Sequence, residues 1–285
     1  MTGQFFFQMP SSKPFPLLRI VPIEQIRFHE APETDRAARL VERLAEDRHL
    51  LNPPIVTPLQ QAQGFLLIDG ANRISAMRLL GYHCLPVQII DYDDPALRLG
   101  SWHHAVMRLP WPAWIEQLRA HGLAVESISP EEMEGVLATR EACAALCSVD
   151  RTCAFIPASN NLRADVHAIT SLIDTYKKSH SFERVDQTNL ADLRRFYPDL
   201  AALVLFPAFE KSEIMQLVAD HLKLPTGLTR HSIPGRVLRV NIQLDVLRSD
   251  LSLEDKNEWL EAFVRIRVQE RHVRFYPEPV FIFDD

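Results

Sequence analysis

The sequence predicts a mixed α/β protein, with a small α/β unit over residues 1–110 followed by a mixed α/β unit over residues 111–285. Three observations predict it. Short apolar runs alternate with helix-period stretches through the first hundred residues, the pattern of a layered α/β unit. The texture changes at "LPWPAW" (109–114), where prolines and tryptophans cluster. Beyond it, helices and strands continue without internal repeat, coiled coil or low-complexity segment.

Taken in order, residues 1–16 are rich in Pro, Ser and Phe and read as a tail. "LLRIVPIEQI" (17–26) contains a strand broken by Pro22, and the polar loop "FHEAPETDR" follows. Thr34 or Asp35 reads as a helix cap before "RAARLVERLAED", which places Ala37, Leu40, Val41 and Leu44 on one face. A strand near 55–57 precedes Gly64 and the strand "FLLI". The next helix carries Ile74, Met77 and Leu80 and stops at Gly81, a residue type suited to the left-handed position past a helix end. "CLPVQIIDY" is a strand in which Pro86 favours an edge or a bulge. A helix runs from 111 to about 121; later helices are expected in 165–179, 211–224 and 253–273. "GRVLRVNIQLDVL" opens as an alternating strand, and a final strand is expected in 274–285.

Bulk properties narrow the function class. The 285 residues are 47% hydrophobic and 24% charged, the balance of a soluble globular protein. A net charge of -6 disfavours non-specific grip on DNA or an anionic membrane. No apolar run approaches a membrane span of about 20 residues, and the start lacks a signal peptide's basic region. Four cysteines are too few for a disulfide scaffold, so a reduced, cytoplasmic protein is expected. Cys143 and Cys147 have helical i, i+4 spacing, and Cys153 follows; none fits a zinc pattern, and buried thiols are expected. His103 and His104 are adjacent, so on a strand they face opposite ways and chelate poorly.

The densest chemistry lies in "IDGANRISAMRLLGYHCLPV", where Asp69, Gly70, Ala71, Asn72 and Arg73 stand at a strand-to-helix turn. Gly70 lets a ligand approach the backbone, and the free amides and positive end of the helix then face it. Arg73 can add a bidentate contact to a phosphate or carboxylate. Asp69 has two readings, a Mg²⁺ ligand or a cap for the helix.

Together this segment resembles the core of the ParB/sulfiredoxin-like superfamily, whose members use a Gly-x-x-Arg turn on nucleotide phosphates. The turn has no cysteine, which counts against the sulfiredoxin branch, and no basic recognition helix follows, which counts against partition proteins. Three further stretches resemble the free L-serine kinase branch, including the ParB-like kinases of siderophore pathways. "VPIEQIRFHE" ends on Glu30, matching that branch's catalytic glutamate. "GSWHHAV" carries Trp102, matching a serine-pocket tryptophan that otherwise reads as a core aromatic. "GLTRHSIPGRVLRVNI" supplies Thr229, Arg230 and His231, a substrate-binding group with Arg236 close behind. The resemblance implies a ligand cleft between the two units. It also implies ATP or ADP as phosphoryl donor, Mg²⁺ held by Asp69, and L-serine as the partner, with Glu30 and Asp69 catalytic. O-phospho-L-serine would then supply siderophore-precursor or cysteine synthesis. Asn72 stands where related kinases commonly have histidine. The alternative implied by the same superfamily is a nucleotide- or haem-responsive DNA-binding regulator.

Overall fold

A computed structural model describes residues 15–59 and 63–276. The tail over 1–14 and most of the expected strand in 274–285 lie outside the described residues. The chain opens with β1 (Leu17–Pro22), a 3-10 turn (Ile23–Gln25) and β2 (Ile26–Arg27). It continues through α1 (Thr34–Asp47), β3 (His49–Leu50), β4 (Ile55–Pro58), β5 (Phe65–Asp69), α2 (Ala71–Leu79) and β6 (Cys84–Ile89). Five of these strands form one sheet, in the order β1-β6-β4-β5-β2. The predicted helix periods are explained by packing. Leu44 of α1 and Ile74 and Met77 of α2 share one core with the buried residues of this sheet, and Ala37 of α1 is buried. Each fully buried large aliphatic side chain contributes about 1.5–3 kcal/mol. Gly81 takes the left-handed conformation just past α2, at φ 77°. Glu33, not Thr34 or Asp35, stands at the cap position of α1.

Pro86 departs from expectation. Its strand, β6, is interior, between β1 and β4. The proline is tolerated because β4 meets β6 only at Gln88 and Ile89, beyond it. On the other side Pro86 faces Ile20, whose N–H and C=O both turn outward to the Asn257 side chain, at 2.8 and 2.9 Å. The missing N–H therefore costs no ladder bond to β1. Asn257 also covers the exposed edge of the sheet.

The second part of the chain runs β7 (Arg98–Ser101), β8 (His103–Met107), α3 (Trp111–Ala120), β9 (Glu126–Ile128), α4 (Met133–Ala138) and β10 (Ala142–Ser148). Then come β11 (Cys153–Pro157), α5 (Leu162–Asp174), β12 (Phe182–Val185), α6 (Leu190–Phe196), β13 (Leu200–Leu205) and α7 (Lys211–Ala219). A six-stranded sheet forms in the order β12-β8-β13-β10-β11-β9. The chain closes with β14 (Thr229–Ser232), β15 (Ile242–Gln243), α8 (Leu244–Arg248) and α9 (Leu253–Gln269). Helix α9 supplies Asn257 and so packs back onto β1.

The structure corrects two readings here. Residues 142–148 are a strand buried at all seven positions, so the spacing of Cys143 and Cys147 is not helical. Strand β10 pairs with β11 in a hairpin that sets Cys147 opposite Cys153, and the two form a disulfide. Cys143 and Cys84 are the buried free thiols. The alternating stretch after Gly235 is not a strand until Ile242. Its backbone bonds to side chains instead, with the Val237 amide donating to Gln88 Oε1 and the Arg239 amide to Asn52 Oδ1.

Candidate active site

Two connections build the site. Strand β5 ends on Asp69 and passes through Gly70 directly into α2. Strand β14 pairs with β7, with Thr229 opposite Ser101, and the Trp102 amide donates to Leu228 O at 2.8 Å. The loop holding Glu30 is sewn to the same segment. Ala31 N–H donates to Leu224 O and Leu224 N–H to His29 O, at 2.9 and 2.8 Å, and the Thr226 hydroxyl donates to Ala31 O. A cavity of about 290 Å³ results. It is lined by Glu30, Asp69, Gly70, Ala71, Asn72, Arg73, Trp102 and Thr229, which lie far apart in sequence.

The turn is held from inside. Gly70 has φ 106°, and a Cβ there would stand 2.9 Å from Pro54 Cβ and 3.1 Å from the Arg73 guanidinium. Arg73 folds back over the glycine. It donates to Asn52 O at 2.9 Å and to Asp69 Oδ2 at 2.6 Å. Burial lowers its pKa from the ordinary arginine value, and Asp69 opposes that shift. Arg236 reaches the same Asp69 oxygen at 3.1 Å. Asp69 is thus an anchor for two guanidiniums and does not cap α2, whose start has no side-chain cap. The first-turn amides of α2 are left for an anion. Asn72 Oδ1 accepts the Glu33 amide at 3.3 Å and ties the turn to the start of α1.

Glu30 is held by four donors. Gly227 N–H reaches Oε2 at 2.7 Å, while Leu228 N–H, Thr229 N–H and the Thr229 hydroxyl reach Oε1 at 3.1, 2.7 and 2.6 Å. Trp102 is half-buried and faces the cavity rather than the core, with the Arg230 guanidinium 4.7 Å from its ring centre.

Strand alternation puts Arg230 on the face opposite Thr229 and His231, which both lie beside His29. Arg230 turns away from the cavity to pair with Asp186 at 2.9 Å. His231 meets the Tyr92 hydroxyl at 3.0 Å. Burial, with His29 beside it, pulls His231 down to about 3, so its ring is neutral near pH 7. The three do not form one anion-binding group.

Other lining residues carried no sequence signal. Arg184 of β12 donates to Thr226 O at 3.1 Å and to Glu33 Oε1 at 3.3 Å. A Cβ at Gly227, whose φ is 71°, would stand 2.3 Å from the Arg184 Nε, so a larger residue there would displace Arg184 and strain the turn. His29, next to Glu30 in "FHE", is buried against Thr229. Of the histidine pair, His104 is buried beside Tyr176 and His103 accepts the Phe206 amide, so neither faces a shared metal.

No family model matches the chain. A curated relative, the ATP-dependent L-serine kinase SbnI of Staphylococcus aureus, is 24% identical over 269 residues, covering 93% of this chain and 96% of the relative. An ATP-dependent L-serine kinase of Staphylothermus marinus is 28% identical over 107 residues, 38% of this chain and 42% of that protein. Among solved structures, C-terminally truncated SbnI from Staphylococcus aureus superposes with a TM-score of 0.72 at 24% identity, covering 88% of this chain and 97% of that one. A free serine kinase in complex with AMP superposes with a TM-score of 0.68 at 19% identity, covering 85% and 97%. At these identities the superpositions establish the fold. In sequence over nearly its whole length, and in fold, the chain is similar to the L-serine kinases, the branch its motifs resemble.

Proposed function

We infer that the chain is a kinase of free L-serine, moving the terminal phosphoryl group of ATP to the serine hydroxyl to give O-phospho-L-serine. One observation carries this reading: the Glu30 carboxylate and the uncapped start of α2 face the same cavity. A base and a phosphate cradle are the two parts that phosphoryl transfer to an alcohol requires. The relatives named ATP-dependent L-serine kinases support serine as the acceptor and ATP rather than ADP as the donor. They favour this reading over a DNA-binding regulator.

On this reading residues 1–110 supply the phosphate side of the cleft, and Arg184 and residues 226–229 close the serine side. The amides of 70–73 cradle the donor phosphates, and Arg73 holds the turn in shape while its remaining N–H groups reach them. The Asn72 side-chain amide keeps its N–H groups as phosphate donors, since its oxygen is engaged. Glu30 takes the serine proton. Its Oε1 accepts three hydrogen bonds but Oε2 only one, so Oε2 has capacity left. Trp102 and Thr229 flank serine, while Arg230 acts through its contact with Trp102. His231 buttresses the site as a neutral ring, and Arg236 balances Asp69.

Mg²⁺ is implied by this chemistry. Asp69 fits it, because both guanidinium contacts fall on Oδ2. Among the described residues no group of three metal-ligating side chains forms a cage. That suits an ion that arrives on nucleotide phosphates and takes one or two carboxylates. When bound, it offsets charge on the transferring phosphoryl group. We also infer a cytoplasmic location, where ATP and free serine are found, with the Cys147–Cys153 disulfide an exception to the reduced state usual there, and a product that enters siderophore-precursor or cysteine synthesis. No described helix is long and apolar enough to cross a membrane.

The role of Glu30 is tested by Glu30→Gln. The variant is expected to bind ATP as the wild type does and to lose about 10²-fold or more in turnover, the usual share of a general base. Unchanged turnover would remove Glu30 as the base.

A further inference from the structure

His29 is buried, at 4% exposure, and the kinase reading gives it no task. Its Nδ1 lies 2.9 Å from Leu67 O, which can only accept, so Nδ1 carries the ring proton. Burial lowers its pKa, with Glu30 opposing, so the ring is neutral near pH 7 and Nε2 is an acceptor. That nitrogen lies 2.9 Å from Thr229 Oγ1. The same oxygen lies 2.6 Å from Glu30 Oε1. One hydroxyl, with a single proton, thus stands between two acceptors, and only one is served at a time.

The geometry points to His29 as a positioning residue for Glu30, with the Thr229 hydroxyl as a two-position switch between them. The inference rests on Glu30 being the base. While Glu30 is ionised, its charge holds the hydroxyl proton on the Oε1 side. In the reaction the serine O–H bond breaks and its proton goes to Oε2. The serine oxygen bonds to phosphorus, and the bond from phosphorus to the departing ADP breaks. Oε1 is then an uncharged, carbonyl-like oxygen and a weaker acceptor. The Thr229 hydroxyl keeps its own proton and turns it to His29 Nε2. The hydrogen bond lost at Glu30 is regained at His29, and only after the base has acted. Without the imidazole, the Thr229 hydroxyl would have no second acceptor for its proton once Oε1 weakens as an acceptor.

Nitrogen-15 NMR of the histidine rings tests the switch directly. Wild type should show His29 protonated at Nδ1 and bare at Nε2. Glu30→Gln imitates the protonated base, so the Nε2 signal should move upfield, the direction of accepting a hydrogen bond. Steady-state kinetics give the second arm. His29→Asn keeps a donor for Leu67 O and removes the acceptor; His29→Gln keeps an acceptor at the ε position. His29→Asn should lower kcat about tenfold with serine KM unchanged, the rate equivalent of one hydrogen bond, while His29→Gln stays within about twofold of wild type. An Nε2 signal that does not move, protonation at Nε2, or equal losses in the two variants would overturn the switch. The NMR arm does not depend on turnover. A wild type that makes no phosphoserine would sink the kinase reading, while the ring signals would still decide the switch.

Discussion

Gly70→Ala tests the turn on which the nucleotide is placed, with Gly81→Ala as its control. Both glycines have positive φ, at 106° and 77°. An alanine in the left-handed region costs about 1–2 kcal/mol. At Gly81 nothing lies within 4 Å of the added Cβ, so that cost is the whole effect. At Gly70 the methyl meets Pro54 Cβ at 2.9 Å and the Arg73 guanidinium at 3.1 Å. Pro54 is rigid, so the backbone of the turn must shift and displace Arg73 with it, and overpacking of this kind adds about 1–3 kcal/mol. At the middle of each range the sum is about 3.5 kcal/mol for Gly70→Ala against about 1.5 kcal/mol for Gly81→Ala. At about 2–4 °C per kcal/mol, thermal melts should fall by about 7–14 °C and about 3–6 °C. A displaced Arg73 also loosens the turn, so ATP affinity by calorimetry should drop about tenfold in Gly70→Ala alone, the worth of one charge-assisted bond. Equal melting shifts, or an unchanged ATP affinity in Gly70→Ala, would mean that the Gly70 turn does not hold the nucleotide phosphates.

Three further outcomes are expected. Peptide mapping without reductant should find Cys147 joined to Cys153 and Cys84 and Cys143 as thiols, and Cys147→Ser should cost about 2 kcal/mol, the value for so short a loop. Asn257→Ala should cost about 1–3 kcal/mol in urea unfolding, because the Ile20 backbone groups at the sheet edge lose both partners. Burial holds His104 and His231 at about 3, below the unfolded value near 6.5. Between those pH values the unfolded chain binds protons that the folded chain excludes, so stability falls as pH drops from about 6.5 toward 3. Each histidine adds a slope of up to about 1.4 kcal/mol per pH unit, and replacing His231 with Phe should flatten the acid limb.

Much of the fold was legible because local signals and packing agree. The helix after Gly70 carried its apolar step, its positive-φ stop at Gly81 and its glycine start in one stretch. Strand β10 was illegible for a physical reason. It is buried on both faces, so it shows no alternation, and the cysteine spacing then imitates a helix. The stretch after Gly235 failed in the opposite way: it alternates, but its amides bond to Gln88 and Asn52 rather than to a neighbouring strand. At the site, Glu30, the Asp69–Arg73 turn, Trp102 and Thr229 were marked by motif and meet in one cavity. Arg184 was not marked, because its place depends on β12 joining β8 and on a left-handed Gly227, neither of which a local window contains. The separation of Arg230 from Thr229 needed only the period of a strand, once that segment was known to be one.

The most direct measurement is phosphorus-31 NMR of the purified wild-type protein with L-serine, Mg²⁺ and ATP, repeated with ADP. A growing phosphomonoester signal that co-migrates with added O-phospho-L-serine is expected, matched by loss of the terminal phosphate of ATP, and no such signal when Glu30→Gln replaces the wild type. No phosphoserine from the wild type with either nucleotide would contradict it.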